Sequence, residues 1–279
     1  MNIITSLMVA LSTCTTVSDS VAVTPYMQYV DSADYYISRS RWVDAERSLV
    51  AALRSEPANQ GNLLLLSNLG TVRTQLGNYT GAIEAFDIGL SRAPRSTVLL
   101  INRALAQIGL NNIDGALNDL SFALQCDSEL PRALETRGLI YLNRRDFEAA
   151  LADFTLLHEI NPDNTAALAG IAQCQAAQGN YKEAISHIRE IMKRESDEFY
   201  HFLLTLYLIE NNQPLDATDA IRNALTQFPQ SGRLYLLRAV LHKQNYQLSE
   251  AEAALKLAHK YNVDPELEQQ LMPTRSGSH

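Results

Sequence analysis

The chain is built on seven alanines that recur in the same local sequence context: Ala45, Ala82, Ala116, Ala150, Ala184, Ala217 and Ala251. The steps between them are 33 to 37 residues. A period in the mid-thirties is typical of helical repeats, in which each unit buries its apolar face only by stacking on its neighbours. The spacing therefore predicts one elongated all-α repeat domain, of a kind that holds partners and carries no chemistry in its repeat unit.

The side chains at fixed positions support this prediction. With the alanine at place twenty, the units begin at Tyr26, Leu63, Thr97, Pro131, Thr165, Glu198 and Gly232. Place eight is small, and places seventeen and twenty-four are bulky. Place thirty-two holds a proline in four units, and a proline there ends the second helix. Gly77 and Gly179 supply the tight turn between the two helices of a unit.

The pattern resembles the tetratricopeptide repeat, most clearly in residues 69–70, 77–82, 86 and 94 and again in 181–185. The resemblance implies a right-handed helical repeat solenoid of antiparallel helix pairs, whose first helices line a concave groove. Seven units then occupy residues 26–263. Residues 264–272 are expected to form a short capping helix, in which Leu267 and Leu271 cover the final unit near Leu255. Residues 273–279 are expected to be a disordered tail.

Residues 1–25 are expected to be a signal-like or tether segment. The apolar run 3–11 is too short to span a bilayer but has the length of a signal-peptide core, although no Lys or Arg precedes it. It ends at Cys14 in a sequence that resembles a lipobox, so lipidation of Cys14 is one interpretation. The other is a frayed tail or an extra capping helix. Export to the periplasm or a membrane anchor is the predicted location, with the cytoplasm as the alternative.

Two arginine–aspartate pairs are predicted from their places in the repeat. Arg103 and Arg137 hold place seven, and Asp119 and Asp153 hold place twenty-three of the same units. Facing helices would join each Arg to its Asp in a structural ion pair; the alternative is an arginine row that binds carboxylates. Arg238 has Ala254 opposite, and it is therefore a candidate for binding a partner.

The resemblance also places certain first-helix residues on the concave groove. Two apolar clusters occur at these places: Ile101, Leu105, Ile108, Leu139 and Leu142, and then Phe202, Leu206, Ile209 and Val240. Either they form a groove for an amphipathic helix or extended peptide, or neighbouring units bury them. Asn68 and Asn102 share place six, and they are either a short peptide-binding ladder or ordinary surface residues. The Lys, Asn and Arg clamp of the chaperone-binding members of the family is absent.

Composition restricts the function classes. The net charge of −8 and pI of about 5.3 argue against nucleic-acid binding, which needs a basic surface. No nucleophile, phosphate-loop or metal-ligand motif occurs, so no catalytic site, cofactor or metal is expected. The predicted function is a non-catalytic scaffold that binds a protein or peptide. The alternative is a component of a cell-envelope assembly tethered through Cys14. A homodimer through the ends of the array is a further expectation.

Overall fold

The computed structural model describes residues 24–273, and this part of the chain contains fifteen helices and no strand. The segment that carries Cys14, and most of the expected tail, lie outside the described residues. The helices are α1 (Pro25–Ser38), α2 (Trp42–Ser55), α3 (Asn62–Gln75), α4 (Tyr79–Arg92), α5 (Thr97–Gly109), α6 (Ile113–Cys126), α7 (Pro131–Asn143), α8 (Phe147–Ile160), α9 (Thr165–Ala177), α10 (Tyr181–Ile191), α11 (Glu198–Glu210), α12 (Pro214–Gln227), α13 (Gly232–Gln244), α14 (Leu248–Lys260) and α15 (Pro265–Leu271).

The helices follow the numbering of the repeat. The seven odd-numbered helices from α1 to α13 begin at place one or one residue before it, and all seven second helices begin at place seventeen. Place seventeen of the sixth unit is Pro214, where the family pattern has a bulky residue. Because Pro214 is the first residue of α12, its missing N–H costs the helix no hydrogen bond.

The chain divides between Ala85 and Phe86, within α4, into two compact units. In the first unit α1 packs on α2 and α2 on α3, around a core that includes Tyr26, Ala45, Leu49 and Leu69. In the second unit each first helix packs on its own second helix, and each second helix packs on the next first helix. Chain neighbours therefore form nearly all of the packing, as in a repeat protein.

Side chains close the helix starts. Ser96, Asn112, Asp146, Asn164 and Ser231 each accept a hydrogen bond from the backbone N–H three residues later. This contact satisfies one of the N–H groups that a helix start leaves without an intrahelical acceptor.

One close approach depends on glycine. The Phe154 ring of α8 is fully buried and lies against α9 at Gly170, where an added Cβ would come within 2.5 Å of the ring. Gly138 on α7 meets the same ring, since a Cβ there would lie 3.0 Å from it. Three consecutive helices therefore pack around this one aromatic side chain.

The turn between the two helices of a unit has the same backbone geometry in all seven units. Place fifteen has a positive φ of 54° to 82° at Ser40, Gly77, Asn111, Arg145, Gly179, Asn212 and Tyr246. Two of these seven residues are glycine and two are asparagine, which tolerates this conformation, so three repeats adopt it with a side chain that disfavours it: Ser40, Arg145 and Tyr246. The turn is thus imposed by the packing of the two helices it joins.

The place-fifteen geometry predicts opposite effects of two substitutions. Arg145→Gly is expected to raise the free energy of unfolding by about 1 kcal/mol, because glycine has no Cβ to oppose a positive φ. Gly179→Ala is expected to lower it by a similar amount, and no heavy atom lies within 4 Å to obstruct the new Cβ. Urea denaturation measures both. Changes of the same sign in the two variants would contradict this account.

Candidate partner-binding site

The predicted groove residues divide into a buried and an accessible group. Ile101, Phe202, Ile209 and Val240 are only 6% to 9% exposed. Phe202, Ile209 and Val240 belong to the core cluster built by α9 to α13. For these four residues the groove prediction is corrected, because the packing of neighbouring helices removes them from the surface.

The other five groove candidates keep accessible surface. Leu139 is 44% exposed, and Leu105, Ile108, Leu142 and Leu206 are half-buried. Leu142 on α7 and Leu206 on α11 line one cleft of about 400 Å³, which we call the first-helix cleft. The structure therefore joins one residue from each predicted cluster in a single concave feature.

First helices and an aromatic pair form the walls of this cleft. Leu142, Ala176 and Leu206 come from three successive first helices, α7, α9 and α11, and the ring centroids of Tyr181 and Tyr207 lie 6.3 Å apart. Gln173 and Glu210 add polar groups to the lining. Burial raises the pKa of Tyr207 above its ordinary value of 10.0, so its hydroxyl adds a neutral polar group to the lining. The cleft is therefore mainly apolar and has a few polar groups, a composition common in ligand-binding sites.

The C-terminal helix reaches the same cleft. Asp264 caps α15 by accepting a hydrogen bond of 2.8 Å from the Glu266 N–H, and His259 of α14 lies 2.7 Å from Glu268. Leu267 and Leu271 pack against the core cluster of α9 to α13, and Leu271 lines the cleft beside Leu206 and Tyr207. The expected cap thus lies on α13 and on the first-helix cleft, and sequence reasoning did not foresee its contact with the cleft.

The two asparagines proposed as a ladder are both half-buried. Asn68 lies on α3 in the first compact unit, and Asn102 lies on α5 in the second. Neither residue lines the cleft described above.

The predicted arginine–aspartate pairs form inside the second compact unit. Arg103 donates two hydrogen bonds to Asp119, of 2.8 and 2.6 Å, and a third of 2.6 Å to Asp87 of α4. These bonds raise the pKa of Arg103, and burial opposes them. Because Asp119 is almost fully buried, this contact holds helices together and offers no carboxylate site to a partner.

Arg137 has the same arrangement in the next repeat. It donates two hydrogen bonds to Asp153, of 2.9 and 2.7 Å, and one of 3.3 Å to Ser121. In the first compact unit Arg73 donates one hydrogen bond to Glu46 and another to the carbonyl of Gly81. Sequence reasoning missed these contacts, because the residues occupy other places of the repeat than the predicted pairs.

Arg238 holds the same place as Arg103 and Arg137 and has a different environment. It is exposed, and its Nε lies 3.4 Å from His242 Nε2. It lines a second cleft, between α12 and α13, which sequence reasoning did not identify. The opposition of Arg238 to Ala254 was the one sequence feature that pointed toward it.

The chemistry available in residues 24–273 is limited. They contain no group of three or more His, Cys, Asp or Glu side chains that could hold a metal ion. Burial raises the pKa of the Cys174 thiol to about 11, so this cysteine is a poor nucleophile. None of the helices in this range has the length and apolarity needed to cross a membrane.

Comparison with known proteins identifies the architecture. Two tetratricopeptide-repeat family models match, over residues 30–97 and residues 141–204. A tetratricopeptide repeat protein from Parabacteroides merdae has a solved structure that is 28% identical, with a TM-score of 0.71 over 88% of this chain and 97% of that one. The chain is a tetratricopeptide-repeat protein. The expected all-α helical repeat fold is therefore confirmed.

Other relatives share smaller parts or only the fold. PilW, a type IV pilus biogenesis factor, is 19% identical with a TM-score of 0.65, covering 75% of this tetratricopeptide-repeat chain and 96% of PilW, and it shows the fold alone. Human Superkiller complex protein 3 is 31% identical over 97 residues, which are 35% of this chain and 6% of that protein. The tetratricopeptide fold generally serves as a non-catalytic scaffold for protein–protein interactions.

The buried ion pairs predict a contrast between two arginines at the same place. Asp153→Ala is expected to lower the free energy of unfolding by about 3 kcal/mol, because it leaves the partly buried Arg137 without its carboxylate. Arg238→Ala is expected to change it by less than about 0.5 kcal/mol, because Arg238 is exposed. Chemical denaturation measures both. Equal losses in the two variants would show that the pairing with aspartate is not what distinguishes these sites.

A buried histidine predicts a dependence of stability on pH. His201 is buried beside Phe228, with its Nε2 3.1 Å from Ser196 Oγ, and burial lowers its pKa against a smaller opposite effect of Asp197. The unfolded chain then binds more protons below the ordinary pKa of 6.5, so stability is lost as pH falls through that region.

His201→Gln tests this dependence. Thermal melts at about pH 7.5 and about pH 5.5 are expected to differ less for the variant than for the natural chain, since the variant has no imidazole to protonate. If the melting temperature decreases by the same amount in both chains over this interval, His201 does not contribute to the pH dependence.

Proposed function

We propose that this chain is a non-catalytic scaffold that binds an amphipathic helix of a protein partner in the first-helix cleft. The cleft is the surface lined by Leu142, Ala176, Leu206, Tyr207 and Leu271. Apolar residues that retain accessible surface in one concave feature are typical of an interaction site.

The observation that carries the proposal is the packing of α15 against the cleft. This short helix places Leu271 in the cleft, and Leu267, one turn earlier, packs on the adjoining core cluster. Leucines four residues apart lie on one face of a helix, which is the arrangement that helix-in-groove recognition uses. The chain's own C-terminal helix therefore provides an example of the ligand chemistry that the cleft accepts.

The size of α15 supports the idea that a partner can extend or replace this contact. The helix has only seven residues and buries none of them fully. A partner helix of ordinary length offers more apolar surface to the α7 end of the cleft, where Leu142 is only half-buried. The chain has a net charge of −8, so a partner with basic residues on its outer face is favoured on electrostatic grounds.

The test compares three full-length chains as baits for proteins from the native organism. The double variant Leu142→Glu with Leu206→Glu places two charges in the cleft and is expected to lose the partner, because burying an unpaired charge is costly. The control, Leu215→Glu, introduces a charge at a second-helix position that is 82% exposed and is expected to keep the partner. Circular dichroism melts establish that each bait is folded.

A milder pair of substitutions covers the case in which the glutamates unfold the chain. Leu142→Ala with Leu206→Ala is expected to weaken binding of the captured protein, once purified, by about tenfold or more, through lost apolar area. The captured protein must bind through an amphipathic helix when its fragments are tested singly. Equal capture by all the baits would place partner binding on a different surface.

A further inference from the structure

The cleft between α12 and α13 combines an apolar floor with positive charge. It has a volume of about 570 Å³, and Ile221, Leu225 and Leu241 form its apolar lining. Arg222, Arg238 and His242 line the same cleft, and no Asp or Glu side chain does. Two arginines therefore lie in one cleft without a lining carboxylate, although the net charge of the chain is −8.

The repeat explains what is different about Arg238. In two earlier units the arginine at this place is held by the residues sixteen positions before and after it. Arg103 contacts Asp87 and Asp119. Arg137 contacts Ser121 and Asp153 in the same way.

The corresponding positions around Arg238 offer no acceptor. The residue sixteen positions after it is Ala254, and the residue sixteen positions before it is Arg222. One internal carboxylate is therefore replaced by a methyl group, and the other acceptor is replaced by a second guanidinium. Arg238 Nε donates one long hydrogen bond, of 3.4 Å, to His242 Nε2.

Arg222 already has an acidic neighbour, whereas Arg238 has none among the residues that line the cleft. Asp219 contacts Arg222 at 2.7 Å, but both side chains are more than half exposed and Asp219 is not part of the lining. His242 is held through Nδ1, 2.7 Å from Gln247 Oε1. An anion in the cleft would give Arg238 the contact that aspartate makes with the equivalent arginines elsewhere in the repeat.

We propose that the cleft between α12 and α13 binds a carboxylate group that carries an apolar stem. Arg238 is the main residue that binds the carboxylate, and Arg222 is the second. The internal precedent favours a carboxylate, because Arg103 and Arg137 each grip one in two-point geometry. The floor of Ile221, Leu225 and Leu241 takes the stem, and the volume is that of a small-ligand site. This site is separate from the first-helix cleft and does not depend on the proposed function.

The first experiment measures binding of 3-phenylpropionate to the full chain by isothermal titration calorimetry and by NMR of the arginine Nε–H groups. Saturable binding of one molecule per chain is expected, with a shift of the Arg238 resonance. Its uncharged amide, 3-phenylpropionamide, is expected to bind at least about tenfold more weakly, because hydrogen bonds to a charged carboxylate are worth more than those to a neutral group. Inorganic phosphate is also expected to bind at least about tenfold more weakly, because it has no apolar stem to bury on the floor of the cleft. Equal binding of the amide or of phosphate would overturn the proposal.

Variants then assign the site. Arg238→Ala is expected to reduce the affinity by about tenfold or more, and Arg222→Ala by a smaller factor. Arg189→Ala removes an exposed arginine of α10 outside the cleft and is expected to leave the affinity unchanged. Unchanged affinity in Arg238→Ala, or no saturable binding to the natural chain, would overturn the proposal.

The sharpest variant adds the internal carboxylate that this unit lacks. Ala254→Asp is expected to pair with Arg238 as Asp119 pairs with Arg103, and thereby to abolish binding of 3-phenylpropionate. If this variant folds, shows the shifted Arg238 resonance and still binds, the proposal fails. If it does not fold, Arg238→Ala alone decides.

Two peptides distinguish the sources of the carboxylate. One carries it only in a glutamate side chain between leucines, with blocked termini. The other carries it only at its C-terminus. Tighter binding of either peptide than of 3-phenylpropionate, with loss in Arg238→Ala, assigns the site to a segment of a protein partner. Binding of 3-phenylpropionate alone assigns it to a free organic acid.

Discussion

The structure depends on the close approach of the two helices in each unit. The seven alanines at place twenty are buried, six of them completely. A larger side chain at any of them would push the second helix away from the first, because packed interiors have no spare volume. Phe154 shows the complementary side of this constraint, since its ring lies directly against the backbone at Gly138 and Gly170. Because each helix packs mainly on its chain neighbours, a single repeated spacing organises the core of both compact units.

One place of the repeat has two different environments. At place seven, Arg103 and Arg137 are partly buried and matched by aspartates, so their charge contributes to the packing of the helices. At the same place in the last unit, Arg238 is exposed beside a cleft and a second arginine. The difference arises from the residues at two neighbouring positions, Ala254 and Arg222. A binding site can thus arise in a repeat protein by the loss of an internal partner.

The two clefts of the second compact unit offer different chemistry. The first-helix cleft is lined by leucines and two tyrosines, and the end of α15 already occupies part of it. The cleft between α12 and α13 has an apolar floor, and its polar lining includes two arginines.

The sequence by itself determined the helical repeat and the order of its helices, because the period and the small and bulky places are local properties of the repeat. It also indicated which arginines face aspartates, since facing places follow from the register of one unit. It could not determine which apolar first-helix residues stay accessible. Phe202 and Leu206 are four residues apart on one helix, yet the first is buried in the core and the second lines a cleft. That outcome depends on how neighbouring helices and α15 pack around them, which only the tertiary structure decides. The same holds for the cleft at Arg238. Its walls come from two successive repeats, and its volume depends on the side chains of both.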